Sequence, residues 1–350
     1  MLGRLFGKKE DPASPLSRQG LLKSDLWLDR PDAAAQIAER ERRGEISGAQ
    51  AEKLRHFVER GYLTFEIDLS EATANELEAD VDRLWREKPW DVAFAYQSGL
   101  KLFPLAEEAR DRRPSVRIAD LHSASATAHD LYLHEQIHAW VDLIFGRLGV
   151  ATQSLHFEYG SQQALHRDPI HVHTSPPSHL LAAWVALEDI GPDCGPLHFV
   201  PGSHRLPYYE FEPGDHRFDH GRHAPERLEQ ALAHDLDQAG KKSLRSEPFL
   251  CRRGGVLLWH HSLLHGGSTP ADPALTRKSF VIHFSTLGNY RRARQSVLVP
   301  GPAGEAKSRS FGTDKILTSA GTPETSAARG FDNPLAGQVR PGDRLEESPA

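Results

Sequence analysis

The chain has 350 residues, with 42 Lys+Arg against 48 Asp+Glu for a net charge of −6; the two signs are interspersed, which excludes a surface built for nucleic acid or anionic membrane and leaves a small molecule as the expected partner. Two cysteines, Cys194 and Cys251, lie far apart without a C-x-x-C spacing, so neither a disulfide framework nor a thiolate zinc site is expected and the reducing cytoplasm suits the chain. No run approaches the roughly 18 apolar residues of a membrane span, and the start MLGRLFGKKEDPASP is too charged for a signal segment.

Residues 1–24 mix Gly, Pro, Ser and Lys without an apolar period and read as a flexible arm. The spacing then predicts helices over 32–43, 47–60 and 70–87. Ser47 and Ser70 stand as N-caps, and Leu54, Phe57, Val58 and then Leu77, Val81, Leu84 form the apolar stripes. YLTFEI at 62–67 predicts a strand entered through Gly61. A further amphipathic helix is expected over 130–148, with Leu133, Ile137, Val141 and Leu148 on one face.

From about residue 152 the period becomes alternating. LHFEY, LLAAWVAL, PLHFV, VLLWH and RKSFVIHF are strand-like runs between Pro/Gly loops. Residues 205–245 form a charged insertion with a helix candidate at 225–238, the pattern of a lid on a β-core. The expected fold is therefore α+β: a helical part over 25–150 packed on a β-core over 151–299, in a single domain over 25–299 with a Pro/Gly/Ser-rich tail over 300–350.

Twenty histidines accompany a single methionine, and imidazoles in such number direct attention to metal ligands. GSQQALHRDPI contains His166-x-Asp168, and in extended backbone residues two apart share a face, so an imidazole and a carboxylate converge on one cation. About three such triplets arise by chance at this composition, His156-Phe157-Glu158 being another, so the motif alone decides nothing. GGVLLWHHSLLHGG offers His260, His261 or His265 as a third ligand; Gly266 and Gly267 favour His265, with His261 as the alternative. Two imidazoles and a carboxylate leave three positions of Fe(II) open. Arg277 opens the strand RKSFVIHFS, where Phe280, Ile282 and Phe284 would face helices while Arg277, Ser279, Val281 and His283 face a cavity. A guanidinium there matches the far carboxylate of a keto-diacid such as 2-oxoglutarate by two parallel hydrogen bonds.

In order, H-x-D, AAWVALEDI, GPLHFVPGSH, VLLWHHSLLHGG and the Arg of TRKSFVIHF resemble the phytanoyl-CoA dioxygenase family of Fe(II)- and 2-oxoglutarate-dependent oxygenases over roughly residues 50–290. The resemblance implies a double-stranded β-helix core, iron ligation by His166, Asp168 and His265, and Arg277 as the partner of the 2-oxoglutarate side carboxylate. It further implies Trp184 as a cosubstrate-contacting tryptophan, Arg117 of VRIADLH as a basic contact and Gln163 as a cosubstrate or neighbouring contact. The chemistry implied is hydroxylation of an unactivated C–H with O2, coupled to decarboxylation of 2-oxoglutarate. One departure stands out: where the family often has a hydroxyl residue two positions after the second histidine, this chain has Gly267.

Two competing readings are a cupin-like metalloenzyme using another metal for isomerisation or hydrolysis, which has no need of Arg277 and Trp184, and a binding protein that keeps the fold without turnover. Ser203 with His204 lacks the G-x-S-x-G elbow of a hydrolase. His171 and His173 alternate after the H-x-D and read as loop histidines or as substrate-facing groups. Spacing reveals neither an acyl-chain channel nor a CoA-binding basic cluster, so the substrate class stays at a small or lipid-like molecule.

Overall fold

The computed structural model describes residues 14–17, 19–87, 93–95, 116–172, 174, 176–219, 221–286, 295–300, 306–311 and 317–318. It is an α+β structure with antiparallel sheets. The helices run α1 Ala33–Arg42, α2 Gly48–Arg60, α3 Glu71–Glu87, α4 Ala126–Tyr132, α5 Glu135–Phe145 and α6 Glu226–Lys241. The strands are β1 Tyr62–Glu66, β2 Ala93–Ala95, β3 Arg117–Ala119, β4 Gly149–Phe157, β5 Leu181–Ala186, β6 Leu197–Phe199, β7 Glu247–Pro248, β8 Gly255–His260, β9 His265–Gly267, β10 Ser279–Thr286, β11 Gln295–Pro300, β12 Ala306–Phe311 and β13 Leu317–Thr318.

Local chemistry sets the ends of these elements. Ser47 and Gln50 close a reciprocal capping box on α2, which stops at Gly61 in the left-handed region. The single helix expected over 130–148 is instead two. Ser125 caps α4 early by accepting from the Ala128 N–H, the chain breaks at Leu133 and His134, and Gly146 ends α5 at φ 66°.

The large sheet has the order β1-β8-β5-β10-β4-β3-β2, with β13 pairing with β4. A second sheet has the order β7-β6-β9. Register assigns the large sheet's two faces. Ile118, Phe280, Val185 and Val256 lie in one transverse row and Ile282, Ala183, Leu258 and Leu63 in the next, and all belong to the apolar core shared with α2, α3 and α5. The other face carries Arg117, Phe157 and Ser279, then Leu155, Val281, Trp184 and Leu257, then His283, Ala182 and Trp259. Phe157, Trp184, Trp259 and Val281 form a smaller apolar cluster there with Leu197 and Phe199 of the second sheet and with Phe249. The site lies on this inner face, between the sheets.

The insertion follows β6 and carries α6, which spans Glu226–Lys241. Residues 14–17 and 19–24, within the stretch expected to be an arm, lie against it: Leu16 is buried with Tyr208, Phe211 and Phe218, and the Tyr208 N–H donates to the Gly20 carbonyl at 2.8 Å. In and beside the stretch expected to be a Pro/Gly/Ser-rich tail, β12 pairs with β11 and β13 pairs with β4.

Candidate metal centre

His265 opens β9, and His166 lies beside it in a loop that joins the second sheet through one isolated bridge. The His166 N–H donates to the His265 carbonyl at 2.9 Å, and the His265 N–H returns the bond at 3.1 Å. Arg167 is extended, at φ −117° and ψ 135°, so Asp168 projects on the same side as His166 before the chain turns into a short 3-10 helix. His166, Asp168 and His265 thus offer three ligand atoms within 4.8 Å of one another. Asp168 and His265 are buried, and His166 is partly so.

The tautomers of both imidazoles are set by the backbone. His166 Nδ1 lies 2.9 Å from the Ala164 carbonyl, and His265 Nδ1 lies 2.9 Å from the Leu263 carbonyl. A carbonyl can only accept, so in each neutral ring Nδ1 carries the proton and Nε2 presents its lone pair. His265 Nε2 lies 3.4 Å and His166 Nε2 4.0 Å from Asp168 Oδ1. The other carboxylate oxygen, Oδ2, accepts from Trp259 Nε1 at 2.8 Å, which fixes the plane of the carboxylate.

Electrostatics favour a cation here. Burial works to raise the pKa of Asp168, but the imidazoles of His265 and His283 outweigh it and hold the carboxyl well below its usual range. Burial and the neighbouring His265 push His166 down to about 3, so it stays neutral. Burial also disfavours charge on His265, yet Asp168 more than compensates and raises its pKa. The group is a carboxylate and two imidazoles in search of a positive centre, a fit for a divalent metal.

A second cluster, Asp29, His260 and His261, matches the same distance criterion. Its hydrogen bonding argues against a metal. The Ser262 N–H donates to His260 Nδ1 at 3.1 Å, which places the ring's proton on Nε2, directed at Asp29 at 3.2 Å. That imidazole is a donor tying the 3-10 turn Trp27–Asp29 to β8, with no lone pair left on the Asp29 side. A turn closed by the Leu263 N–H and the His260 carbonyl separates His261 from His265. Of the three candidate third ligands, only His265 stands with His166 and Asp168. His156 of the other H-x-[DE] triplet lies in register with Ile118 and Phe280 on the helix-facing side of the sheet.

Arg277 is 2% exposed, and burial lowers its pKa to about 10. Its Nε has no hydrogen-bond partner, and no carboxylate pairs with it among the described residues. A buried cation in that condition is suited to receive an anion. The backbone gives way to it: a Cβ on Gly160, which has φ 73°, would lie 2.3 Å from Arg277 Nε. Trp184, on the inner face of β5, has its ring 6.0 Å from the guanidinium. Arg117 lies in register with Phe157 on the same inner face, and burial lowers its pKa. Gln163 accepts from the Gly267 N–H through its carbonyl at 2.9 Å, which ties the ligand loop to β9.

The two glycines after His265 permit that approach. A Cβ at 266 would lie 2.7 Å from the Gln163 carbonyl oxygen, and one at 267 would lie 2.6 Å from Ser161 Oγ and 3.3 Å from Arg277 Nη2. They serve the close packing of β9 on the ligand loop rather than access of a bulky ligand to a metal.

Sequence reasoning gave no role to Trp259, on the inner face of β8, or to His283. The latter is 6% exposed, its Nε2 is 3.9 Å from Asp168 Oδ1, and its buried Nδ1 lacks a partner. His171 is exposed, with its ring 6.0 Å from that of His166, and His173 lies outside the described residues. Ser203 Oγ accepts from the Leu264 N–H while His204 Nε2 meets the Val58 carbonyl, so they form no nucleophile–base pair.

Among solved structures, the non-heme alpha ketoglutarate dependent carbocyclase SnoK from nogalamycin biosynthesis is 17% identical over 87% of this chain and 95% of its own, with a TM-score of 0.50, a likeness of fold. The epimerase SnoN, solved with Fe3+, alpha ketoglutarate and nogalamycin RO, is 20% identical over 75% of this chain and 88% of its own, at a TM-score of 0.47. EctD from S. alaskensis, solved with 2-oxoglutarate and 5-hydroxyectoine, is 20% identical over 71% of this chain and 79% of its own, at 0.48. No curated protein matches the chain in sequence. Among the described residues no helix is long and apolar enough to cross a membrane. The family model of phytanoyl-CoA dioxygenase (PhyH) matches residues 57–272, a span that holds all three residues of the His-Asp-His cluster and stops just short of Arg277. With more than half of its length so matched, the chain belongs to the phytanoyl-CoA dioxygenase family.

Proposed function

We propose that this protein is an Fe(II)- and 2-oxoglutarate-dependent dioxygenase that hydroxylates an unactivated C–H of a small or lipid-like molecule. The observation that carries the reading is the conjunction of two imidazoles with fixed Nδ1–H tautomers around Asp168 and a buried, unpaired Arg277 on the same inner face. His166 Nε2, Asp168 Oδ1 and His265 Nε2 would hold the iron, and Arg277 the far carboxylate of 2-oxoglutarate. Bound iron, with 2-oxoglutarate and O2, supplies the oxidising power while the cosubstrate leaves as succinate and CO2.

The chain's own part is positioning. Trp259 keeps the Asp168 carboxylate from rotating. Trp184 packs beside the guanidinium, Arg117 adds positive potential at the far end of the same face, and Gln163 holds the ligand loop on β9. Ser161 Oγ stands close to where a side chain at 267 would be, so its hydroxyl takes the place of the family's missing one. His283 brings Nε2 to 3.9 Å from Asp168 Oδ1, and its Nδ1, which has no partner, would offer a hydrogen bond to a bound reactant. On this reading the two sheets are the halves of a double-stranded β-helix in a single domain over 25–299, and the apolar lining of Phe157, Trp184, Phe199 and Val281 keeps bulk water from the reacting centre.

The test is succinate formation from 2-oxoglutarate with Fe(II) and ascorbate, stimulated by candidate substrates and absent in Asp168→Ala. Turnover without 2-oxoglutarate would support a cupin-like isomerase or hydrolase instead. Metal binding without turnover of any kind would support a non-catalytic binding protein.

A further inference from the structure

Arg167 stands between His166 and Asp168 and projects away from them. It is wholly buried, at 0% exposure. Nη1 donates to the Leu206 carbonyl at 2.9 Å, and Nη2 donates to the Pro207 carbonyl at 3.1 Å and to Asp235 Oδ1 at 2.7 Å. The guanidinium carbon sits 4.3 Å over the ring of Tyr208. Asp235 is itself buried, on α6, with His234 Nδ1 3.6 Å from the same oxygen. All of these partners belong to the insertion.

The same segment reaches the other ligand. The Tyr208 hydroxyl shares a 2.8 Å hydrogen bond with Ser262 Oγ, in the turn that leads to His265, and Ser203 Oγ accepts from the Leu264 N–H at 2.8 Å. Residues 203–208 are therefore bonded to both stretches that carry the His-Asp-His group, while α6 supplies the charge that holds Arg167 in place. A planar guanidinium fixed by three acceptors and stacked on an aromatic ring has little freedom to turn. Because Arg167 is extended, any rotation of its backbone swings the flanking side chains on the opposite side.

We propose that Arg167 and Asp235 are positioning residues, and that the insertion acts as a strut setting the angle between the His166/Asp168 pair and His265. The inference rests on the reading of those three residues as metal ligands. Its competitor is a plain anchor, in which the ion pair stabilises the insertion and leaves the ligand geometry untouched.

The experiment loads full-length wild type, Asp235→Asn, Asp235→Glu and Tyr208→Phe anaerobically with Fe(II) and, separately, with Co(II). It records metal affinity, the visible Co(II) ligand-field bands and the unfolding temperature of the metal-free proteins. The strut predicts that D235N weakens metal binding by ~10- to 100-fold, in the range of lost supporting contacts around a metal, and shifts the Co(II) bands. D235E, which keeps the charge, retains more affinity than D235N, and Y208F shows a smaller change in the same direction. If D235N does not fold, Y208F, which loses one hydroxyl, carries the test. Unchanged affinity and bands in the folded variants, with only a lower unfolding temperature, overturn the strut. A wild type that binds neither ion better than Asp168→Ala overturns the ligand assignment, and the strut with it.

Discussion

His166 and His265 come from distant parts of the chain and exchange two backbone hydrogen bonds, at 2.9 and 3.1 Å, while each ring is held by a carbonyl two residues upstream. The nitrogen left free in each is Nε2. In the neighbouring Asp29/His260/His261 group the backbone N–H of Ser262 takes up the lone pair of His260 instead. We therefore expect His265→Ala to lower Fe(II) affinity by at least ~100-fold, given that it removes a proposed ligand outright. His261→Gln should leave affinity within a few-fold of wild type while lowering the unfolding temperature. Anaerobic metal titration of the two variants decides between them.

Arg277 is a buried charge without a counter-ion among the described residues. Replacing it with methionine should raise the KM for 2-oxoglutarate by ~10- to 100-fold, the worth of a charge-assisted pair of hydrogen bonds, with iron affinity unchanged. The same substitution should make the cosubstrate-free protein more stable, by about 1–3 kcal/mol, because an unpaired cation has left the interior. A drop in stability together with an unchanged KM would show that Arg277 has a structural partner and no anion to bind.

Gly160 offers an independent probe of the same guanidinium. A Cβ there would lie 2.3 Å from Arg277 Nε, and the backbone sits at φ 73°. Gly160→Ala should displace the arginine and raise the KM for 2-oxoglutarate while sparing metal affinity. Steady-state kinetics at saturating iron checks this.

Trp259 Nε1 donates to Asp168 Oδ2 at 2.8 Å. Trp259→Phe keeps most of the buried ring and deletes the donor, so metal affinity should fall by ~10-fold or more, the usual cost of losing a contact that orients a ligand. Isothermal titration with a redox-inert divalent ion at fixed pH is a direct measure.

Stability should fall with acid. Burial pushes His138 down to about 4 and His204 down to about 3. Because both lie below the ordinary histidine value of 6.5, the unfolded chain binds more protons in the interval between. The stability due to neutral His138 and His204 is complete above about pH 6.5 and is lost as pH drops toward 4, at ~1.4 kcal/mol per pH unit for each group. Denaturant unfolding at pH 7 and pH 5 should show this loss. His138→Leu, weaker at pH 7 for want of its bond to the Tyr132 carbonyl, should lose less over the same interval.

Much of this was legible in the residues themselves. The alternation in RKSFVIHF gave the two faces of β10, with Phe280, Ile282 and Phe284 in the helix-facing core and Arg277 buried and unpaired, because a period of two leaves no other arrangement in a strand buried on both sides. Capping residues marked α2 and α3 for the same local reason. What the residues withheld was set by contacts between distant segments. Nothing near Leu133 announces the break between α4 and α5. The preference for His265 over His261 came from the glycines that follow it, while the local turn at 261–262 that parts the two is absent from strict alternation. The partners of Arg167 lie in the insertion, and no local pattern could connect them.

The H-R-D triplet has no idle member. Two of its side chains face the proposed iron, and the third is anchored by Leu206, Pro207 and Asp235. A surface excursion of this kind would ordinarily be the first piece trimmed in making a minimal version of an enzyme, since such segments tolerate deletion. On the strut reading α6 has to be kept: shortening the chain between β6 and β7 would strand a guanidinium in the interior one residue from the carboxylate most needed to stay still.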